Sequence, residues 1–143
     1  MREEADLIEV ARTKLNPHRV GDRLFGDVAA ALETVTGAIH VGVCIDTGSG
    51  TGFCAEHAAI ASMVTSGEYA IARIVAVWRD EEGCLTVLAP CGRCREFIKQ
   101  IDESNVKTTV LLGQGRTAAL RDLLPEWEWP EPEPVATPRS ASR

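Results

Sequence analysis

Aromatic residues are few in this 143-residue chain, with three Trp, three Phe and one Tyr, and there are only three His and two Met. No apolar run approaches the ~20 residues that a membrane-spanning helix needs, and Met1-Arg2-Glu3-Glu4 opens no signal-peptide pattern. The expectation is a soluble, intracellular, cytoplasmic protein with no membrane partner. Lys and Arg form no basic cluster, and the formal net charge is −6. That argues against a polymeric nucleic acid, whose phosphates would need neutralising, and for a small neutral or cationic ligand. The glycine-rich run Asp46-Thr47-Gly48-Ser49-Gly50-Thr51-Gly52 lacks the Gly-Lys-Ser/Thr ending of a phosphate cradle, so it reads as a loop. Five cysteines cannot all pair, which fits a reducing compartment better than a disulfide framework.

What is present is ordinary globular composition, 45% hydrophobic and 25% charged, at a length suited to one domain. That domain is expected at residues 1–125. Beyond Pro125 the segment Glu126-Trp127-Glu128-Trp129-Pro130-Glu131-Pro132-Glu133-Pro134 is acidic and proline-rich, and residues 126–143 read as a tail whose last part is disordered. Trp127 and Trp129 are too apolar for water; they are expected to pack on the domain or on a neighbouring subunit, with a place in a substrate pocket as the lesser alternative.

Periodicity supplies the elements. Leu7, Ile8, Val10, Ala11 and Leu15 recur at helical spacing, and Asn16-Pro17 ends that helix. Two apolar stretches around Thr36-Gly37 predict a hairpin with strands at 27–34 and 38–45. His40, in the second of these strands, has no partner at metal spacing and reads as solvent-facing or hydrogen-bonded. A helix rich in small residues is predicted from Cys54 to just before Gly67, a buried central strand over Ile71–Trp78, and a short strand over Cys84–Leu88. A helix from Cys91 to about Ile101, a strand at Thr108–Leu112, a turn at Gly113-Gln114-Gly115 and a final helix over Thr117–Leu124 complete the reading.

The chemistry concentrates in Cys54-Ala55-Glu56 and Pro90-Cys91-Gly92-Arg93-Cys94. Cys54, Cys91 and Cys94 supply three thiolates for one Zn2+, and Glu56 supplies an acid/base group. A structural zinc site is closed by four protein ligands, whereas a catalytic one keeps three and leaves a position for water. Cys54 and Cys91 each begin a helix, where unpaired N–H groups favour a thiolate. Cys91 and Cys94 are expected one turn apart on the buried face of theirs, and Cys44 and Cys84 as buried thiols outside the metal site. Two other readings stand beside this one: a closed zinc module with Cys44, Cys84 or His57 as fourth ligand, and a redox dithiol at Cys91 and Cys94. Neither accounts for a glutamate beside Cys54.

On these motifs the chain, from about residue 20 to 125, resembles the cytidine deaminase-like zinc deaminases. The small homotetrameric branch that holds cytidine deaminases and blasticidin-S deaminases is nearest, because it shares Cys-Ala-Glu and Pro-Cys-Gly-x-Cys. The resemblance implies an α/β fold, a three-layer α/β/α sandwich around a mixed five-stranded sheet, and one zinc per subunit of a homotetramer. It also implies hydrolytic removal of an amine from an aminopyrimidine nucleoside or nucleoside-like compound, a free amino-heterocyclic base being the alternative. Carried over by position, it makes Cys54, Cys91 and Cys94 the zinc ligands and Glu56 the proton shuttle. Substrate contacts fall on Cys44 and Asp46, where relatives carry Asn-x-Glu, and on the backbone near Ala55 and Pro90. His57 stands where an arginine often follows the Cys-Ala-Glu motif. The run Asp27–Leu32, the glycine-rich loop and Arg93 lean toward the blasticidin-S deaminases.

Overall fold

Strand β3 (Val28–Thr34) and strand β5 (Ile71–Arg79) form the middle of the structure, and the alternation of their side chains sorts the whole core. The structure, a computed structural model, describes residues 3–128 and 134–137. Ala29, Ala31, Val75, Val77 and Leu111 face one side of the sheet, where Leu7 and Ala11 of helix α1 (Glu4–Lys14) cover them. Ala30, Leu32, Ile74, Ala76 and Val110 face the other side, under Ala55, Ala59, Ile60 and Met63 of helix α2 (Ala55–Thr65) and Ile98 of helix α3 (Gly92–Ile101). A period of two along each strand therefore builds the three layers of the α/β/α sandwich.

Five strands form a continuous path. Strand β4 (Ile39–Val43) lies at one edge, followed by β3, β5, β7 (Thr109–Gly113) and β8 (Arg116–Ala119). A sixth strand, β6 (Leu85–Leu88), pairs antiparallel with residues 76–79 of β5, while β7 pairs parallel with residues 73–74 further back. The two share one side of β5. That arrangement lets β6 deliver Pro90 and Cys91 to the end of the sheet before α3 carries the chain back.

The elements predicted up to residue 112 are all present. Two features went unread. Strands β1 (His18–Val20) and β2 (Arg23–Phe25) make a separate two-stranded ribbon, turned at Gly21, whose φ of +63° suits glycine. A 3-10 turn at Glu103–Lys107 follows α3, opened by Asp102, whose carboxylate accepts from the Ser104 N–H at 2.8 Å. The helix predicted at Thr117–Leu124 is a correction. Gly115, at φ +69°, closes a hairpin that folds Arg116–Ala119 back along β7, and only Leu120–Leu123 is helical, as a 3-10 turn. Pairing along β7 overrides the helix preference of two alanines.

Two contacts hold the helices that carry the cysteines. Gly42 in β4 lies against α2 so closely that a Cβ there would sit 2.5 Å from the Ala59 nitrogen, so the small residues of α2 serve close approach to a strand. Asn105 is fully buried; its Oδ1 accepts from the Ile71 N–H at 2.8 Å, and its Nδ2 donates to the carbonyls of Tyr69 and Ile98 at 3.0 Å each. That one side chain ties the end of α3 to the start of β5. Among the described residues no helix is long and apolar enough to cross a membrane.

Candidate active site

Cys54 is the N-cap of α2 and Cys91 the N-cap of α3. The two helix starts converge, placing Cys54 Sγ 3.7 Å from Cys91 Sγ, and Cys91 Sγ 3.5 Å from Cys94 Sγ. Cys94 is fully buried, whereas Cys91 is exposed at the mouth. The expectation that both sit on the buried face of the helix is thereby corrected: a capping residue lies half outside its helix, so Cys91 projects from the end and not from the side. Glu56, 5% exposed, lies one residue into α2 from Ala55, its carboxyl group raised above the usual carboxylate range by burial.

The residues fit a zinc ion. Three thiolates at the ~2.3 Å zinc–sulfur distance of a tetrahedral site lie about 3.8 Å from one another, close to the separations found. Burial raises the Cys54 thiol, and burial with the Glu56 charge raises Cys94 still more. At Cys91 burial works the same way but is outweighed by the Cys94 N–H and the neighbouring thiols, so that its thiol ends below its ordinary value. Protons or a cation must balance this much negative charge, and thiolates are the ligands that a cation of zinc's softness takes.

No fourth ligand joins these three: among the described residues the cluster consists of Cys54, Cys91 and Cys94 alone. His57 comes within 3.5 Å of Cys94 Sγ through Nδ1, its ring stacked on Phe97 with centroids 4.2 Å apart. Burial, then the nearby Arg93 charge, lowers its pKa below the ordinary imidazole value. Cys84 is exposed on the turn after β5, which corrects the expectation that it is buried; its N–H donates to Asp80 Oδ1 at 2.8 Å, so the residue serves a turn. Cys44 is half-buried, and its thiol donates to Asp27 Oδ1 at 3.2 Å. His40 is hydrogen-bonded, with Nδ1 3.0 Å from Ser62 Oγ and Nε2 3.3 Å from Ser66 Oγ.

An open cleft of about 400 Å³ leads to Cys54. Cys44, Asp46, Phe53 and Arg93 line it, together with Asp27, which the sequence reading had not connected with this site. Its signal lay only in register: Asp27 directly precedes β3, and Cys44 directly follows β4, so the hairpin sets them side by side. Ala55 and Pro90 are buried and do not line this cleft. The Pro90 carbonyl accepts from Arg95 Nε at 2.8 Å, and Arg95 also donates to Leu123 O at 3.2 Å, so this arginine braces the loop before Cys91. Trp127 is half-buried; Trp129 and most of the tail expected to be disordered lie outside the described residues.

No family model matches the chain. It is 37% identical over 108 residues to blasticidin-S deaminase of Bacillus cereus, an alignment covering 68% of this chain and 71% of that protein. The chain belongs to the cytidine deaminase-like family. Among solved members of the cytidine deaminase-like family, the cytidine deaminase of Burkholderia pseudomallei superposes with a TM-score of 0.71 at 29% identity, covering 87% of this chain and 98% of that one. The cytidine deaminase of Mycobacterium tuberculosis gives 0.70 at 25% identity, with 88% and 97% covered. Membership makes this chain an enzyme, a deaminase that hydrolyses a C–N bond.

Proposed function

We propose that this deaminase acts on an aminopyrimidine nucleoside or nucleoside-like compound, with Cys54, Cys91 and Cys94 holding one zinc per subunit and Glu56 moving the protons. The observation that carries the reading is the meeting of three thiols at two helix starts with a buried carboxyl group two residues from the first of them. Zinc in that place supplies the Lewis acidity that makes water a nucleophile at neutral pH. Glu56 accepts a proton from the attacking water and passes it to the ring nitrogen. It then carries the second proton to the amine, which leaves as ammonia while a carbonyl replaces the C–N bond. Burial of Glu56 suits that work, because a carboxyl group raised toward neutrality both takes and returns a proton. The backbone at Ala55 and Pro90 orients the ring, and Cys44 and Asp46 meet whatever the ring carries.

Cytosine, cytidine, deoxycytidine and blasticidin S form the test panel, read by ammonia release. Release that disappears in Glu56→Ala, with zinc content kept, is the expected result; full activity in that variant removes Glu56 from the mechanism. We also read the chain as the subunit of a cytoplasmic homotetramer, on the strength of the family branch, and light scattering of the purified protein checks the assembly.

A further inference from the structure

The cleft that leads to Cys54 is lined by two carboxylates, and they are held differently. Asp46 stands exposed on the loop that follows Ile45. Asp27 is half-buried at the start of β3, and its surroundings are tied to the sheet. Its carbonyl accepts from the Arg79 N–H at 3.0 Å, the Gly26 N–H donates to the Cys44 carbonyl at 3.4 Å, and the Cys44 N–H donates to the Val28 carbonyl at 3.0 Å. Gly26, at φ +73°, packs so closely on Asn16 that a Cβ would lie 2.4 Å from its carbonyl oxygen. The Asp27 side chain is fixed as well. Cys44 Sγ donates to its Oδ1 at 3.2 Å, and burial raises the Cys44 thiol above its ordinary value, so the sulfur keeps the proton that it donates. A thiol has one such proton, and this contact uses it. Asp27 Oδ2, in contrast, has no hydrogen-bond partner among the described residues and is not sealed from solvent.

We propose that Asp27 is a specificity-determining residue of this deaminase. Its Oδ2 accepts a hydrogen bond from the substituent on the substrate's ring, and Cys44 is the positioning residue that holds the carboxylate for that contact. A carboxylate accepts hydrogen bonds and donates none. The site therefore selects a substituent with a donor at this point and disfavours one that offers an acceptor alone, because two facing acceptors leave both unpaired. Cys44, though it borders the cleft, acts through Asp27. Fixity is what separates the two acids: a hydrogen bond from a group already in place costs less ordering than one from an exposed loop residue. On the nucleoside-type substrates proposed above the donor is a hydroxyl group. The inference rests on that reading and adds the residue that reads the substituent.

The test uses cytidine and forms of it in which one hydroxyl at a time is replaced by hydrogen or by fluorine, a small group that cannot donate. Binding is measured by calorimetry on the zinc-loaded Glu56→Ala protein, so that nothing is turned over, and deamination on the unaltered enzyme. The expected result is one position at which the hydroxyl binds at least about tenfold more tightly than either replacement, as a hydrogen bond to a charged group allows. In a protein that also carries Asp27→Asn, whose amide presents a donor, the preference over fluorine falls below about threefold. Cys44→Ala, which frees the carboxylate to turn, lowers the preference in part, and Cys44→Ser, which keeps a donor, retains it. No preference at any position, failure of all these nucleosides to bind, or a preference that survives Asp27→Asn overturns the proposal. So does an Asp27 variant that weakens every ligand by the same factor, since that marks a structural role. An unchanged preference in Cys44→Ala overturns the part given to Cys44. Thermal unfolding and zinc content show whether the variants fold, and the preference of the unaltered cleft is read without them. Failure of every compound to be deaminated would instead count against the function proposed above, and the calorimetry still reads the hydroxyl preference.

Discussion

The floor and the mouth of the three-cysteine site are built in opposite ways. The floor is made of helix starts and a buried glutamate pinned from behind: α2 presses on β4 at Gly42, and α3 is tied to β5 through Asn105. The mouth is made of the segment from Cys44 to Phe53, joined to itself by the bridge between Ile45 and Phe53 and by hydrogen bonds of Thr51 with Thr47 and Gly48, and exposed over much of its length. Reaction chemistry needs groups fixed to a fraction of an ångström, which packed elements give. Substrate choice needs groups that can be exchanged without unfolding the protein, which loops give. The difference leaves Cys44 and Asp46 open to exchange without disturbing Cys54-Ala55-Glu56 or Pro90-Cys91-Gly92-Arg93-Cys94.

Changes on the two sides should separate cleanly. Cys94→Ala removes the most buried of the three proposed ligands and is expected to abolish both stoichiometric zinc and turnover, checked by elemental analysis and ammonia release. A variant that keeps its zinc would mean that the ligand set is misassigned. Behind the floor, Gly42→Ala drives a methyl group into α2 and should cost about 1–3 kcal/mol in denaturant unfolding, with activity lost in step with folding.

Glu56→Gln probes the charge of the floor in the metal-free protein. Burial holds the Glu56 pKa above its unfolded value. As pH rises through and beyond the ordinary carboxylate range, the unfolded chain therefore gives up a proton that the folded one retains, and stability falls. Glutamine has no proton to lose, so the variant should be the more stable form at neutral pH and lose that lead toward acid, as thermal unfolding across pH would show. At the mouth, Asp46→Ala should raise KM roughly two- to tenfold, the worth of a hydrogen bond or so, with zinc and stability unchanged. A loss of zinc in that variant would join mouth and floor into one unit.

Much of the floor was legible in the chain. The spacing of Cys91 and Cys94, the capping places of Cys54 and Cys91, and the alternation along β3 and β5 are local properties, set by bonds and periods that do not depend on distant partners. Exposure was less legible. Cys84 reads as an apolar thiol until the turn at Asp80 claims its N–H, and Cys91 reads as helix-buried until its capping place turns it outward. Short elements were harder still: three-residue strands at His18 and Arg23 bury too little to leave a pattern, and Arg116–Ala119 became a strand because β7 offered it an edge.

The order of residues thus settled which elements hold Cys54, Glu56, Cys91 and Cys94, because cysteine spacing, capping and hydrophobic period are written along the chain. Where Asp27 lies relative to Cys44, that His57 stands beside Cys94 and stacks on Phe97, and that Arg79 Nε is buried without an acceptor were settled by folding. Those relations join residues from 17 to 40 positions apart, and only the packing of sheet against helices fixes distances across such gaps.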